Sequence, residues 1–112
     1  LKILSECNVK ALAHITGGGI IENIKRVFPN DKGILFDKTK FDFNKTNNIF
    51  HWLKNECNLD EKELLKTFNC GIGMMLITKQ SSVESVLSTC AKLKQPIRVI
   101  GKVINDKKIL FK

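Results

Sequence analysis

Three consecutive glycines, residues 17–19, have the composition of an anion-binding turn. Apolar and polar side chains alternate over residues 9–16, as they do in a half-buried strand. Residues 20–28 then place apolar side chains at helical spacing. Glycines allow a close approach of the main chain to a ligand, and a helix N-terminus offers unsatisfied N–H groups and the positive end of the dipole. The segment therefore predicts a strand, turn and helix that together bind phosphate.

Two polar residues fall on one face of the predicted strand, directly before the turn. These are His14 and Thr16, while Ala13 and Ile15 fall on the opposite, apolar face. The turn matches neither the G-x-G-x-x-G fingerprint nor the G-x-x-x-x-G-K-[ST] phosphate loop, so a nucleotide site of either common kind is not expected. The structural alternative is a tight connection that binds no ligand.

A second glycine-containing string occurs at residues 67–74, "TFNCGIGM", where a polar corner leads into an apolar run. Together with "HITGGG..ENI.RV.P" at residues 14–29, it closely resembles the C-terminal domain of the phosphoribosylformylglycinamidine cyclo-ligase family, also called AIR synthetase. The resemblance extends from about Val9 to the end of the chain. It departs at Lys25, where the family has Pro, and at Lys66, where the family has Arg. Lysine keeps the positive charge but lacks the planar group that binds phosphate in a bidentate way.

The resemblance implies an enzyme of purine biosynthesis that closes an imidazole ring. In this reaction ATP phosphorylates the formyl oxygen of formylglycinamidine ribonucleotide, the ribosyl-bearing nitrogen attacks that carbon, and phosphate leaves. The products are aminoimidazole ribonucleotide, ADP and phosphate. The family implies that ATP and Mg²⁺ bind mainly through an N-terminal domain, which also provides much of the contact in a homodimer.

Carried over residue by residue, the resemblance implies a site made from both strings. His14, Thr16 and Asn69 are the implied catalytic residues. A lone histidine is more often a structural hydrogen-bonding group, but its place beside the glycines and the family resemblance favour catalysis by His14. The implied substrate- and phosphate-binding residues are Gly17, Gly18, Gly19, Asn23, Arg26, Thr67, Cys70 and Gly71. No metal ligand is implied in this chain.

Two of these residues have structural alternatives. Arg26 lies four residues after Glu22, which is the spacing of a weak surface ion pair on a helix. Asn69 follows a predicted helix and would serve as its cap.

The 112 residues predict one domain with a single core. Because the chain begins with Leu1 in what looks like the end of a helix, we expect a fragment of a longer two-domain chain that lacks the N-terminal ATP-binding domain. The isolated fragment is then predicted to be inactive. The competing hypothesis is a stand-alone phosphate-metabolite-binding or regulatory module without catalysis.

The net charge of +8 raises the question of nucleic-acid binding. Only Arg26 and Arg98 offer planar guanidinium groups, and the lysines are spread along the sequence between acids. We therefore expect no nucleic-acid partner, although a basic surface would steer anionic metabolites.

The four cysteines are scattered, without the C-x-x-C spacing of a zinc site or a disulfide framework. Cys57 and Cys90 are predicted to be small buried hydrophobic residues. No apolar run approaches the roughly 20 residues of a membrane span, and no signal peptide is recognisable. A cytoplasmic protein with free thiols and no membrane partner is expected.

The pattern predicts an α/β (α+β) layered domain, with a mixed β-sheet packed by helices. The strand at residues 73–78 is apolar on both faces and is predicted to be central. A capping box at Asp60 and Glu63 begins one helix, and Ser81 and Glu84 cap another. The remaining predicted elements are a strand at residues 33–36, a helix at residues 46–56, and a C-terminal hairpin formed by residues 97–104 and 108–111.

Overall fold

The structure is a computed structural model that describes residues 4–5, 7–41 and 49–112. Its strands and helices form an α+β fold with antiparallel and mixed sheets, in agreement with the predicted class. The described residues form two compact units, one within residues 1–12 and 76–99 and the other within residues 13–75 and 100–112. The predicted helix start at Thr46 lies outside the described residues.

Strands β1 (Val9–His14) and β3 (Met74–Thr78) pair in a two-stranded sheet. The prediction of a central β3 covered on both faces is wrong, because Met75 is buried whereas the Met74 side chain is 53% exposed. An apolar run in a sequence does not by itself distinguish a central strand from one whose second face is open.

The first unit is built around α4 (Val83–Lys92), whose Val86 and Cys90 pack against Cys7. The predicted side-chain cap at the start of this helix is wrong. The chain enters α4 through a 3₁₀ turn at Gln80–Ser82, and Ser82, which precedes the first α-helical residue, makes no capping hydrogen bond. A 3₁₀ turn is an alternative way to satisfy terminal backbone groups.

The second unit contains a three-stranded sheet with β2 (Gly33–Phe36) in the middle. Strand β4 (Gly101–Ile104) pairs antiparallel to β2, and β5 (Ile109–Phe111) pairs parallel to it. The predicted hairpin is therefore wrong, because β2 lies between its two arms. Gly33 makes this possible, since a Cβ there would overlap the carbonyl oxygens of Asp106 and Lys108.

Three aromatic rings form the core beside this sheet. Phe36 and Phe41 are almost completely buried, with ring centroids 5.5 Å apart in an edge-on arrangement. Phe111 stacks on Phe36 at 4.9 Å. Such contacts add to the stabilisation that apolar burial gives the second unit.

The second unit also contains α1 (Gly19–Lys25), α2 (Ile49–Glu56) and α3 (Glu61–Thr67). Helix α1 packs against α3 and ends three residues before the predicted end. The predicted capping box of α3 is confirmed: Asp60 accepts a hydrogen bond from the Glu63 N–H at 2.7 Å, and the Glu63 carboxylate accepts one from the Asp60 N–H at 3.1 Å. No helix in the described part of the chain is long and apolar enough to cross a membrane.

The four cysteines are free thiols. Cys90 is buried as predicted, and burial raises the pKa of its thiol, with nearby Cys7 as a smaller cause. The prediction for Cys57 is wrong because α2 ends one residue earlier and leaves this side chain exposed in the following turn.

Candidate active site at the glycine turn

The end of β1 presents His14 and Thr16 to solvent. Ala13 and Ile15 are only 2% and 3% exposed, whereas both polar residues are exposed. The predicted alternation of exposed and buried residues is therefore confirmed, although β1 itself ends at His14 and Thr16 lies two residues beyond it. His14 is accessible to a ligand beside the turn.

The turn itself requires glycine at two positions. The N–H of Gly19 donates to the Thr16 carbonyl at 3.1 Å, which closes the turn. Gly18 and Gly19 have φ values of 92° and 65°, in the left-handed region that favours glycine. The third glycine, Gly17, lies outside this region, and a Cβ there would meet nothing within 4 Å.

The side chain of Asn23 holds the turn from its buried side. Its Nδ2 donates to the Gly19 carbonyl at 2.7 Å, and the carbonyls of Thr16 and Gly17 lie at 3.4 and 3.3 Å. Its Oδ1 accepts from the Thr16 hydroxyl at 3.3 Å. Asn23 is only 5% exposed, so its amide is occupied by the turn itself. The resemblance implies that Asn23 binds the ligand, and nothing in the sequence indicates these contacts with the turn.

The Asn23 contacts also determine where the N–H groups of the turn point. In a trans peptide the N–H of each residue is antiparallel to the preceding carbonyl, and the described chain contains no cis peptide bond. Because the carbonyls of Thr16 and Gly17 point towards Asn23, the N–H groups of Gly17 and Gly18 point away from it. Both glycines are exposed. Two adjacent backbone donors that point away from the buried amide are groups to which an anion could bind.

The second motif forms a tight corner after α3. The Asn69 Oδ1 accepts from the Gly71 N–H at 3.0 Å, and the Asn69 carbonyl accepts from the Ile72 N–H at 2.9 Å. Cys70 and Gly71 have φ values of 50° and 86°. Asn69 therefore closes this turn and does not cap the helix. It remains exposed, as does Thr67 at the end of α3.

The two motifs are brought together in the second unit. Gly19 lies against the last turn of α3, where an added Cβ would be 2.5 Å from the Leu65 carbonyl oxygen and 2.6 Å from the Lys66 carbonyl carbon. The Ile15 N–H donates to the Gly73 carbonyl at 2.9 Å. The end of α3 and the residue before β3 therefore both contact the segment that contains the glycine turn, although they are far from it in the sequence.

Two predicted ligand residues have other surroundings. The Cys70 side chain is completely buried, with its Sγ 3.8 Å from the Phe68 carbonyl oxygen, so it does not reach the surface of the site. Arg26 is exposed at the C-terminal end of α1, about 10 Å of helix from the turn at the standard rise per residue. The alternative pairing of Arg26 with Glu22 is wrong, because the Glu22 carboxylate pairs with Lys25 at 3.6 Å.

The described residues offer no group of three or more histidine, cysteine or acidic side chains that could hold a metal ion. The chemistry that the site offers is hydrogen bonding from backbone N–H groups, an imidazole, hydroxyls and an amide.

A strand, a glycine turn and a short helix, faced by a second glycine corner, define an α+β domain with a candidate anion site. Residues 1–111 match the family described as AIR synthase related protein, C-terminal domain, and the chain belongs to this family.

Relatives of known function are similar over almost the whole chain. A trifunctional purine biosynthetic protein adenosine-3 from Gallus gallus is 43% identical over 93% of this chain and 10% of its own length. Phosphoribosylformylglycinamidine cyclo-ligases from Geotalea daltonii and Oceanobacillus iheyensis are 39% and 36% identical over 92% and 95% of this chain, and over 29% and 30% of their own lengths. The chain thus spans a tenth to three tenths of these relatives.

Proposed function

We propose that this chain is the C-terminal domain of an ATP-dependent phosphoribosylformylglycinamidine cyclo-ligase. The whole protein would convert formylglycinamidine ribonucleotide and ATP to aminoimidazole ribonucleotide, ADP and phosphate. The observation that carries the proposal is the contact of Gly19 with the end of α3, which joins both motifs in one site. The names of the cyclo-ligase relatives support the same reaction.

In this proposal the glycine turn binds a phosphate group, either that of the ribonucleotide or the one in transfer. The exposed N–H groups of Gly17 and Gly18 supply hydrogen bonds without any side-chain movement. Fixed donors of this kind stabilise developing negative charge better than reorienting water does. Gly19 acts through packing, and Asn23 acts by holding the turn.

The polar side chains beside the turn would orient the reacting amide. The formyl oxygen is a poor leaving group until ATP phosphorylates it, after which nitrogen attack on the carbon expels phosphate. His14 and Thr16 would hydrogen-bond the amide or the phosphoryl group, and Asn69 and Thr67 would contribute from the second corner. Cys70 and Gly71 contribute to the shape of that corner, and Arg26 would contact only a ligand that extends along α1.

ATP and Mg²⁺ would be bound mainly by an N-terminal domain of the same polypeptide, and the whole enzyme would be a cytoplasmic homodimer. The relatives are several times longer than this chain, which is consistent with such an arrangement. Under this proposal the 112-residue chain has no turnover by itself.

The direct test is turnover by the natural full-length polypeptide that contains this chain. With formylglycinamidine ribonucleotide, ATP and Mg²⁺, we expect equimolar formation of aminoimidazole ribonucleotide and ADP. A stand-alone binding module would bind the ribonucleotide and form neither product. Absence of both products in a folded full-length protein would contradict the proposal.

His14 has its own test in the same assay. If it contacts the reacting group, His14→Ala lowers kcat by about a hundredfold or more, as expected for loss of a positioned acid, base or hydrogen-bond donor. His51→Ala is the matched control, because His51 lies on α2 and contacts Asn55. A loss below about threefold, equivalent to roughly 0.7 kcal/mol, would exclude a catalytic role for His14.

A further inference from the structure

A groove of about 1220 Å³ in the second unit has a lining that includes none of the glycine-turn residues. The less exposed apolar residues of this lining form its floor. They comprise Ile21 from α1, Leu65 from α3, Ile109 and Phe111 from β5, and Phe28. Because Leu65 is buried and the other four are partly buried, these side chains form an apolar floor open to a ligand.

Lysines surround this floor. Eight lysines line the groove, against two acidic residues and no arginine. Six of these lysines are exposed, so their ammonium groups lie at the rim of the groove. Their positions run from Lys25 to Lys108, so the sequence alone does not show that they converge. A cationic rim around a concave apolar floor attracts anions more strongly than the same charges dispersed over a surface.

The two acids in the groove are already engaged. Asp60 accepts a hydrogen bond from the first turn of α3, and Glu61 lies 3.0 Å from the Lys54 Nζ and 3.9 Å from the Lys38 Nζ. The carboxylates of Glu22, Asp31 and Asp106 pair with three further lysines, but all three are more than half exposed and such pairs are weak.

Three lysines of the lining have no carboxylate partner in the described part of the chain. Among the described residues, no carboxylate lies within 4.0 Å of the Nζ atoms of Lys62, Lys66 or Lys107. The groove therefore has an excess of positive charge after every described pairing is considered.

We propose that this groove binds a phosphorylated metabolite of the nucleotide class, with a flat apolar ring on the floor and its phosphate among the rim lysines. A ligand site of this type combines an apolar surface with a few charged groups that fix orientation. Lysine binds phosphate as a mobile point charge, whereas sequence reading of nucleic acids relies heavily on arginine, which the lining lacks. An acidic peptide would leave much of the apolar floor without a matching surface.

The test is calorimetric titration of AMP into the natural full-length polypeptide that contains this chain. Adenosine and inorganic phosphate are titrated in parallel. We expect AMP to bind about tenfold more tightly than either fragment, because only AMP uses both the floor and the rim. We also expect its affinity to fall as the salt concentration rises.

Charge reversal locates the site. Lys62→Glu combined with Lys107→Glu is expected to weaken AMP binding about tenfold or more. The matched control is Lys79→Glu combined with Lys102→Glu, which makes the same change in net charge at exposed positions outside the groove lining and should alter the affinity less than about twofold. If the groove variant does not fold, AMP binding is measured with Lys62→Gln combined with Lys107→Gln, and a weaker affinity than that of the control variant is again expected.

Several results would overturn this proposal. They are no AMP binding at millimolar concentration, equal effects of the groove and control variants, and phosphate binding as tight as AMP binding. Binding of polyglutamate or oligothymidylate through these lysines without AMP binding would also overturn it. Because the measurement is binding and not turnover, its failure is distinct from failure of the proposed cyclo-ligase activity.

Discussion

At the scale of single residues, Asn23 determines the geometry of the candidate site. Its amide contacts three carbonyls and one hydroxyl of the preceding turn while remaining 5% exposed. Without it, the carbonyls of the turn would lose the partner that directs them inward. The donor orientation that we assign to Gly17 and Gly18 therefore depends on a side chain that does not touch the ligand.

Asn23→Ala should lower the free energy of unfolding by about 1–3 kcal/mol, because buried polar groups of the turn lose their partner. In the full-length protein it should also raise KM for the ribonucleotide. Urea denaturation and steady-state kinetics measure the two effects. Asn55→Ala on the exposed side of α2 is the control, since its described side-chain partner is only His51. Equal stability of the two variants would show that the Asn23 contacts do not hold the turn.

The cysteines provide a second test at this scale. Cys57 is exposed, whereas Cys7, Cys70 and Cys90 are buried. Since burial also raises the pKa of Cys90, little reactive thiolate forms there at neutral pH. Brief maleimide labelling of the folded protein followed by peptide mapping should modify Cys57 and leave the other three intact. Comparable labelling of Cys90 would contradict the described packing of α4.

At the scale of elements, the contact between α1 and α3 joins the two motifs. Gly19 has a φ of 65° and lies against the backbone of Leu65 and Lys66, so it has neither the conformation nor the space for a side chain. Gly17, two residues earlier, has open space around it. The same triplet thus contains one glycine required by packing and one that leaves room for a ligand.

Gly19→Ala should destabilise the fold by more than about 2 kcal/mol, because it combines left-handed strain with overlap on a rigid backbone. Gly17→Ala should cost less than about 1 kcal/mol, since no atom obstructs the added methyl group. Midpoints of urea unfolding for the two variants provide the comparison. A Gly19→Ala variant as stable as Gly17→Ala would mean that α1 and α3 do not approach as described.

The sequence predicted the elements near the site better than their pairing. Alternation placed His14 and Thr16 on one face, and the capping box placed the start of α3, because both signals are local. The insertion of β2 between β4 and β5 depends on contacts of Gly33 with residues more than seventy positions away. The residues that connect β4 and β5 favour a turn, but they do not indicate that β2 lies between the two strands. The sequence therefore predicted a hairpin.

At the scale of the whole molecule, the two anion sites that we propose differ in kind. The glycine turn would use backbone donors in an exposed turn, whereas the lysine groove would use mobile side chains around an apolar floor. The sequence predicted the first from adjacent residues. It could not predict the second, because lysines from several elements converge only after α1, α3 and β5 have packed.

A carboxylate placed at position 17 tests whether the glycine turn binds a phosphate of the substrate. Gly17→Asp and Gly17→Asn have nearly the same shape and enter open space, but only Asp adds a negative charge. Steady-state kinetics of the full-length protein should show KM for formylglycinamidine ribonucleotide raised about tenfold more by Asp than by Asn, equivalent to roughly 1.4 kcal/mol of repulsion. Equal effects of Asp and Asn on both KM and kcat would contradict a phosphate at this turn.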